Sequence, residues 1–372
     1  MKTPFGKHPS GLRLERMQGS ARYRDGEFHN LHPVLPGLKA GAMPSIGDFL
    51  CSSGQRVPLA PPPTFDPRQS WNSAPETGLR VTWLGHSSLL VELDGVRVLT
   101  DPVWGDRVSP VGFAGPKRFH PVPVKLAQLP RLDAVIVSHD HYDHLDYPTI
   151  LELAKSDVPF ITSLGVGAHL ESWGIAEERI TELDWWESTP IAGGRASVSA
   201  APSQHFSGRG PGMRNTTAWS SFAVRGSRHA FFFSGDTGLT NEYETIREKL
   251  GPFDLVALEV GAFHPAWGDI HLGPENALKA FEMLEGARFL PVHWGTFNLA
   301  MHDWDEPAEQ LLELGGHAPL LMPHLGEAVE PSRTGAPAPW WRTPGKALPV
   351  APEAEPALPE LEPNSPIAWP ID

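Results

Sequence analysis

Cysteine is almost missing: Cys51 is the only one in 372 residues. No intrachain disulfide can form and a thiolate-built structural metal site is excluded, a usage compatible with a cytoplasmic protein. Basic charge is also in deficit, with 30 Lys and Arg against 44 Asp and Glu, a formal net charge of -14 and a pI of about 5.6. Nucleic-acid binding and electrostatic adhesion to an anionic membrane ordinarily need a basic face, so neither is expected. Long apolar runs are absent too. The amino-terminal stretch has Lys2, Lys7, Arg13 and Arg16 but no signal-like hydrophobic segment, and nothing later reaches spanning length. A soluble chain follows, with at most peripheral membrane contact.

Histidine, by contrast, is concentrated. Ser138-His139-Asp140-His141-Tyr142-Asp143-His144-Leu145-Asp146 follows Ala134–Val137, a β-branched run that predicts a buried strand feeding into a loop. Three imidazoles and a carboxylate crowded at a strand end would repel once protonated, and a divalent metal is the partner they share. His139 and His141 alternate in an extended segment, while Asp143 and His144 come after a turn. Two ligand pairs then face two ions. One motif cannot fill two shells, so further ligands must arrive from other strand ends. His205 in Pro202–His205, Asp236 in Ser234–Gly238 after Ala230–Phe233, and His293 in Pro291–Gly295 after Phe289-Leu290 meet that demand.

This order of residues resembles the metallo-β-lactamase superfamily. More narrowly it resembles the N-acylphosphatidylethanolamine-hydrolysing phospholipase D branch, through GLRVTWLGHSS (78–88), LTDPV (99–103), GPKRF (115–119), HYDHLDY (141–147), ELDWWE (182–187), PSQH (202–205), FFFSGDTG (231–238), GPFDL (251–255) and HWGTF (293–297). The matches are collinear over roughly residues 70–330, which one short motif could not achieve by chance. The resemblance implies an α/β fold, an αββα sandwich of two mixed β-sheets flanked by helices. It implies one metal on His139, His141 and His205, a second on Asp143, His144 and His293, and Asp236 bridging both. His271, ahead of the Pro274-Glu275 pair, corresponds to a histidine thought to assist catalysis in that branch. With Asp143 and Asp236 it completes the expected catalytic group. The segment Gly268 to Gly273 is shorter than in the mammalian pattern, which bears on the substrate more than on the metals. The family's dimers make a homodimer an expectation.

Along the chain, residues 1–70 read as an irregular arm rich in Pro and Gly with scattered apolar residues such as Leu35, Leu38, Met43, Ile46, Phe49 and Leu50, expected to pack on the core. Residues 71–330 form the hydrolase domain, and 331–372 a tail dominated by Pro, Ala and Glu, in which Trp340 and Trp341 could pin part of the chain to the core or to a partner subunit. Three strands, 79–84, 88–93 and 96–100, make a meander with an Asp94-Gly95 hairpin turn. Helices are predicted at 148–155, 165–173, 241–250 and 274–285, with a strand at 158–162.

Other residues carry two readings each. His86 and Asp101 either orient a ligand histidine or hold a turn. Lys117 and Arg118 either meet a phosphate or are solvated loop charges. His302 either serves the pocket or sits on a surface helix. Trp185 and Trp186 are expected to be core. The loop Ser207–Arg214 lacks the context of a nucleotide cradle and is expected to be a mobile flap whose Arg209 or Arg214 reaches the substrate.

The chemistry these residues imply is hydrolysis by hydroxide held on two metal ions. Zinc is the default for a His-rich, thiol-free shell, and iron or manganese would also suit the bridging carboxylate. The resemblance favours a phospholipase D type phosphodiesterase acting on N-acylphosphatidylethanolamine-like lipids. A lactonase or carboxyl-ester hydrolase is the main rival, because the same metal pair serves both in the wider group.

Overall fold

The computed structural model describes residues 3–34, 55–264 and 269–342. The apolar residues Leu35 to Leu50, Cys51, Gly268, Trp369 and the tail from residue 343 onward lie outside them. In chain order the strands are β1 (Tyr23–Arg24), β2 (Glu27–Phe28), β3 (Leu79–Gly85), β4 (Ser88–Leu93), β5 (Val96–Thr100), β6 (Ala134–Val137), β7 (Phe160–Ser163), β8 (Ile180–Leu183), β9 (Ser188–Ile191), β10 (Ala196–Ala201), β11 (Ser221–Arg225), β12 (Ala230–Phe233), β13 (Leu255–Glu259), β14 (Phe289–Val292) and β15 (Ala328–Val329).

They form two mixed sheets. One has the order β15-β3-β4-β5-β6-β7-β8, the other β14-β13-β12-β11-β10-β9, and β1 pairs with β2 alone. Each large sheet changes from antiparallel to parallel pairing, at β5-β6 in the first and at β12-β13 in the second. The expected meander is present: Asp94 (φ 51°) and Gly95 (φ 80°) both adopt the left-handed conformation that a tight hairpin turn demands.

Side-chain alternation decides the layers. In β6, Ala134 and Ile136 enter the core between the sheets. Val135 and Val137 point the other way, against Ile150, Leu153, Leu170 and Trp173 of the helices Tyr147–Leu153 and Gly167–Trp173. Helices Glu242–Leu250, Gly273–Leu284 and Glu306–Leu314 add Tyr243, Ile246, Phe281, Leu284 and Leu311 to the first cluster. Pro148, Pro274 and Pro307 open three of these helices, where a missing N–H costs nothing. The αββα sandwich is therefore the fold, with the central strands of both sheets buried on both faces and the edge strands β8 and β9 partly exposed.

Trp185 is core as expected, and Arg22 lies 3.5 Å above its ring. Trp340 and Trp341 are also buried. They pack on Trp294, whose ring stacks on Trp83 at 5.3 Å.

Candidate metal centre

Every candidate ligand leaves the same end of the sandwich. Strand β6 ends at Val137, and the loop after it delivers His139, His141, Asp143 and His144; segments after β10, β12 and β14 deliver His205, Asp236 and His293. The turn after β3 brings His86, the end of β5 brings Asp101, and β13 ends on Glu259. Strand carboxyl ends are where α/β sheets gather ligand groups. Backbone strain collects here too: His86 (φ 53°), Asp101 (φ 32°) and His293 (φ 65°) are left-handed non-glycine residues. At Gly235 (φ 56°) a Cβ would sit 2.7 Å from that of Ser138, so the approach of Asp236 to the loop requires glycine.

All seven converge, buried. One group of potential ligand atoms within 4.8 Å of one another is His139, His141, His205 and Asp236; a second is His86, Asp143, His144 and His293; a third is Asp236, Glu259, His271 and His293. The decisive detail is Asp236. Its Oδ2 lies 3.1 Å from His144 Nε2, 3.2 Å from His293 Nε2, 3.8 Å from His205 Nε2 and 3.9 Å from His139 Nε2. Yet neither carboxylate oxygen has a hydrogen bond, and neither has His144 Nε2. A buried carboxylate without donors is costly. Four imidazole nitrogens around it, out of hydrogen-bonding geometry, make the shell a cation would fill, so the residues fit a metal.

The rings of His144 and His205 are fixed from outside through their other nitrogens. His144 Nδ1–H donates to Asp101 Oδ2 (2.6 Å), and His205 Nδ1–H donates to the Ile270 carbonyl (2.9 Å). Asp101 also accepts the Ser138 N–H (2.7 Å) and Oγ–H (2.6 Å), so one carboxylate sets both the loop and a ligand ring. His86 Nε2–H donates to Asp143 Oδ2 (2.9 Å).

In the metal-free protein the site's charges compensate one another. Burial opposes ionisation of Asp143 and Asp236, but His144 and its neighbours prevail and hold both carboxyls well below the usual range. Burial likewise opposes protonation of His144 and His293; the carboxylates prevail, raising the first well above its ordinary value and the second to about 9. Burial lowers His139 and His205 far below the ordinary value, and His86 to about 3. A cation bound among these residues would compete with the protons that the carboxylates favour on His144 and His293.

Other expected residues are placed less directly. His271 stands beside the cluster, its ring 5.0 Å from that of His205, with Nδ1 3.2 Å from Glu259 Oε1. His302 is not on a surface helix. Its Nε2 accepts the Ala262 N–H and its Nδ1–H donates to the Asp303 carbonyl, and it shares a narrow cleft with His293. Arg118 is buried, donating to the Val103 and Gly105 carbonyls and lying 4.7 Å from the Phe297 ring; it is not a solvated loop charge. Lys117 lies exposed on the same loop.

Arg209 departs most from expectation. Instead of riding a flap it is fully buried, donating to the carbonyls of Asp140, Leu145 and Pro4, with its guanidinium 4.1 Å from the Tyr142 ring. A guanidinium with five donors can tie several carbonyls that no neutral side chain could. Arg214 lies over Phe206, which packs on His141 and His205.

Sequence reasoning missed Glu259, Asn30 and His169. The last donates through Nε2–H to Asp140 Oδ2 (3.2 Å). A cleft of about 670 Å3 lined by Arg97, Asp133 and Arg195 lies at the opposite end of the sheets and contains none of the cluster residues.

The profile described as the β-lactamase superfamily domain matches residues 96–294, which span all seven candidate ligands. The chain belongs to the metallo-β-lactamase superfamily. By family and fold it is a metal-dependent hydrolase. An uncharacterised protein of Mycobacterium tuberculosis is 44% identical over 331 residues, covering 87% of this chain and 88% of that one. The N-acyl-phosphatidylethanolamine-hydrolyzing phospholipase D 1 of Caenorhabditis elegans is 40% identical over 250 residues, 64% of this chain and 70% of that one. The isothiocyanate hydrolase from Delia radicum gut bacteria shares the fold, with a TM-score of 0.55 at 22% identity, covering 68% of this chain and 98% of that one.

Proposed function

We propose that the chain is a dinuclear metal-dependent phosphodiesterase of phospholipase D type acting on N-acylphosphatidylethanolamine-like diesters. The unbonded Asp236 carboxylate among four imidazoles is the observation that carries the metal chemistry. The 40% identity to the worm phospholipase D supports the diester class. His139, His141 and His205 would hold one cation and Asp143, His144 and His293 the other, with Asp236 between them. Two divalent cations bound there supply Lewis acidity to a phosphoryl oxygen and a water of lowered pKa, zinc being the default for this donor set.

The protein's own groups do the rest. Asp101, Ser138 and the Ile270 carbonyl keep ring orientations fixed, so the donor set is preorganised. Water adds to phosphorus, the bond from phosphorus to the N-acylethanolamine oxygen breaks, and His271, oriented by Glu259, hands that oxygen a proton and is restored by the proton the attacking water gives up. The products are phosphatidic acid and the N-acylethanolamine. Among the described residues no helix is long and apolar enough to cross a membrane.

The test is hydrolysis of N-acylphosphatidylethanolamine in liposomes beside a panel of lactones and carboxyl esters, with metal content measured on the same sample. Release of phosphatidic acid supports the assignment. Turnover of lactones or esters without diester cleavage would overturn it in favour of the rival hydrolase class.

A further inference from the structure

The family profile begins at residue 96, yet part of the candidate centre is held from well before it. Asn30 brackets the main chain of His205: its Nδ2–H donates to the His205 carbonyl at 2.8 Å, and its Oδ1 accepts the His205 N–H at 3.1 Å. One side-chain amide thereby imitates a neighbouring strand. The same Oδ1 accepts the Trp219 indole N–H at 3.0 Å, and that indole also reaches the Ser203 carbonyl at 3.1 Å, two residues before His205.

Asn30 is itself anchored. Phe28 is fully buried with Met17, Leu164 and Trp219, and its N–H donates to the Asn215 carbonyl at 2.8 Å. A second strut lies earlier in the chain. The Lys7 N–H donates to His169 Nδ1 at 3.0 Å, and His169 in turn holds Asp140, which sits between His139 and His141. The Pro4 carbonyl receives Nε and Nη2 of Arg209, whose Nη1 donates to the carbonyls of Asp140 and Leu145 at either end of the HDHYDH loop.

We infer that Asn30 is a positioning residue for His205, and that the segment 3–34 is a built-in clamp setting the cation affinity of the His139, His141 and His205 cluster. This rests on the two-cation reading above. His205 reaches the cluster alone from its loop, with its Nδ1 fixed on the Ile270 carbonyl. The position of its Nε2 therefore depends on where the His205 backbone sits. Loss of partners that orient a metal ligand typically weakens binding by about 10- to 100-fold.

The experiment uses the full chain with Asn30→Ala, the near-isosteric Asn30→Asp, and Arg16→Ala as a control. Arg16 lies on the same segment but pairs with Glu187 at the surface. Zinc affinity is measured by chelator competition, cobalt binding by visible absorption, and the thermal midpoint on the metal-free forms. Asn30→Ala should weaken one of the two cations by about 10- to 100-fold and change the cobalt spectrum. Asn30→Asp, which places a second oxygen against the His205 carbonyl, should do the same even where the alanine variant folds poorly. Arg16→Ala should match wild type. Two cations bound to wild type, with unaltered affinity and spectrum in the Asn30 variants, overturn the inference alone, including when only the metal-free midpoint falls. Fewer than two cations on wild type overturn the reading beneath it.

Discussion

Asp101→Asn separates orientation of a ligand from turn formation at one atom. Asp101 accepts three hydrogen bonds, from Ser138 N–H (2.7 Å) on Oδ1 and from Ser138 Oγ–H and His144 Nδ1–H (both 2.6 Å) on Oδ2. An amide has one acceptor oxygen. If that oxygen stays on the Ser138 N–H, the new NH2 faces His144 Nδ1 and drives the imidazole proton to Nε2, the atom lying 3.1 Å from Asp236. If the amide flips, its NH2 meets the Ser138 N–H and leaves a buried donor unpaired, which costs about 1–3 kcal/mol. Either arrangement should weaken cation binding by roughly one to two powers of ten while the fold survives. Chelator competition on the purified variant, with circular dichroism as the folding control, measures this. Two cations held within about twofold of wild-type affinity would refute the reasoning and leave Asp101 as a turn former only.

Three further outcomes follow from the same geometry. Because carboxylates raise His144 well above its ordinary value and His293 to about 9, both rings carry protons at neutral pH without metal, and zinc uptake at pH 7 should release them. Calorimetry in buffers of different ionisation enthalpy checks this, and a buffer-independent heat contradicts it. Glu259→Gln should lower kcat for the diester by about tenfold or more, with KM and metal stoichiometry nearly unchanged, since Glu259 hydrogen-bonds His271 and is itself a member of neither of the first two ligand groups, although its carboxylate lies within 4.8 Å of ligand atoms of Asp236 and His293. Trp341→Ala removes a buried indole that packs on Trp294 and donates to Glu309 at 2.6 Å; it should cost about 3–5 kcal/mol and lower the thermal midpoint by several degrees. A shift below about one degree would mean that the tail is not anchored as described.

What was legible in the sequence was whatever pattern or local chemistry alone determines. The Ala134–Val137 run, the Asp94-Gly95 turn and the HDHYDH spacing each specify their geometry within a few residues. His205, Asp236 and His293 were legible because each follows a strand and is a ligand type. Glu259 was not: nothing in Leu255–Glu259 separates a strand-end carboxylate that accepts the Leu272 N–H from one facing water. Asn30 and His169 act through contacts 175 and 29 residues away in sequence, which no local pattern encodes. Arg209 was misplaced for a related reason. A glycine-rich loop with arginines resembles a solvated flap until the carbonyls of Asp140 and Leu145 are known to lie beneath it.

The distribution of candidate ligands over the two sheets ties chemistry to architecture. His139, His141, Asp143 and His144 leave the sheet containing β6, whereas His205, Asp236 and His293 leave the sheet containing β10, β12 and β14. Each proposed cation draws ligands from both. Without metal, backbone and Arg209 hydrogen bonds still join that edge of the sandwich, but the contacts of His144 and His293 with Asp236 and Asp143 are ion pairs only while those imidazoles are protonated. Raising the pH removes those protons and leaves two buried carboxylates facing neutral rings, so the metal-free protein should lose stability as pH rises through the raised histidine values. Cation binding replaces the same protons by bonds that do not depend on imidazole charge. Stability of the metal-loaded chain should therefore stay nearly flat where that of the metal-free chain falls, and parallel melts of the two forms between neutral and alkaline pH would reveal whether it does.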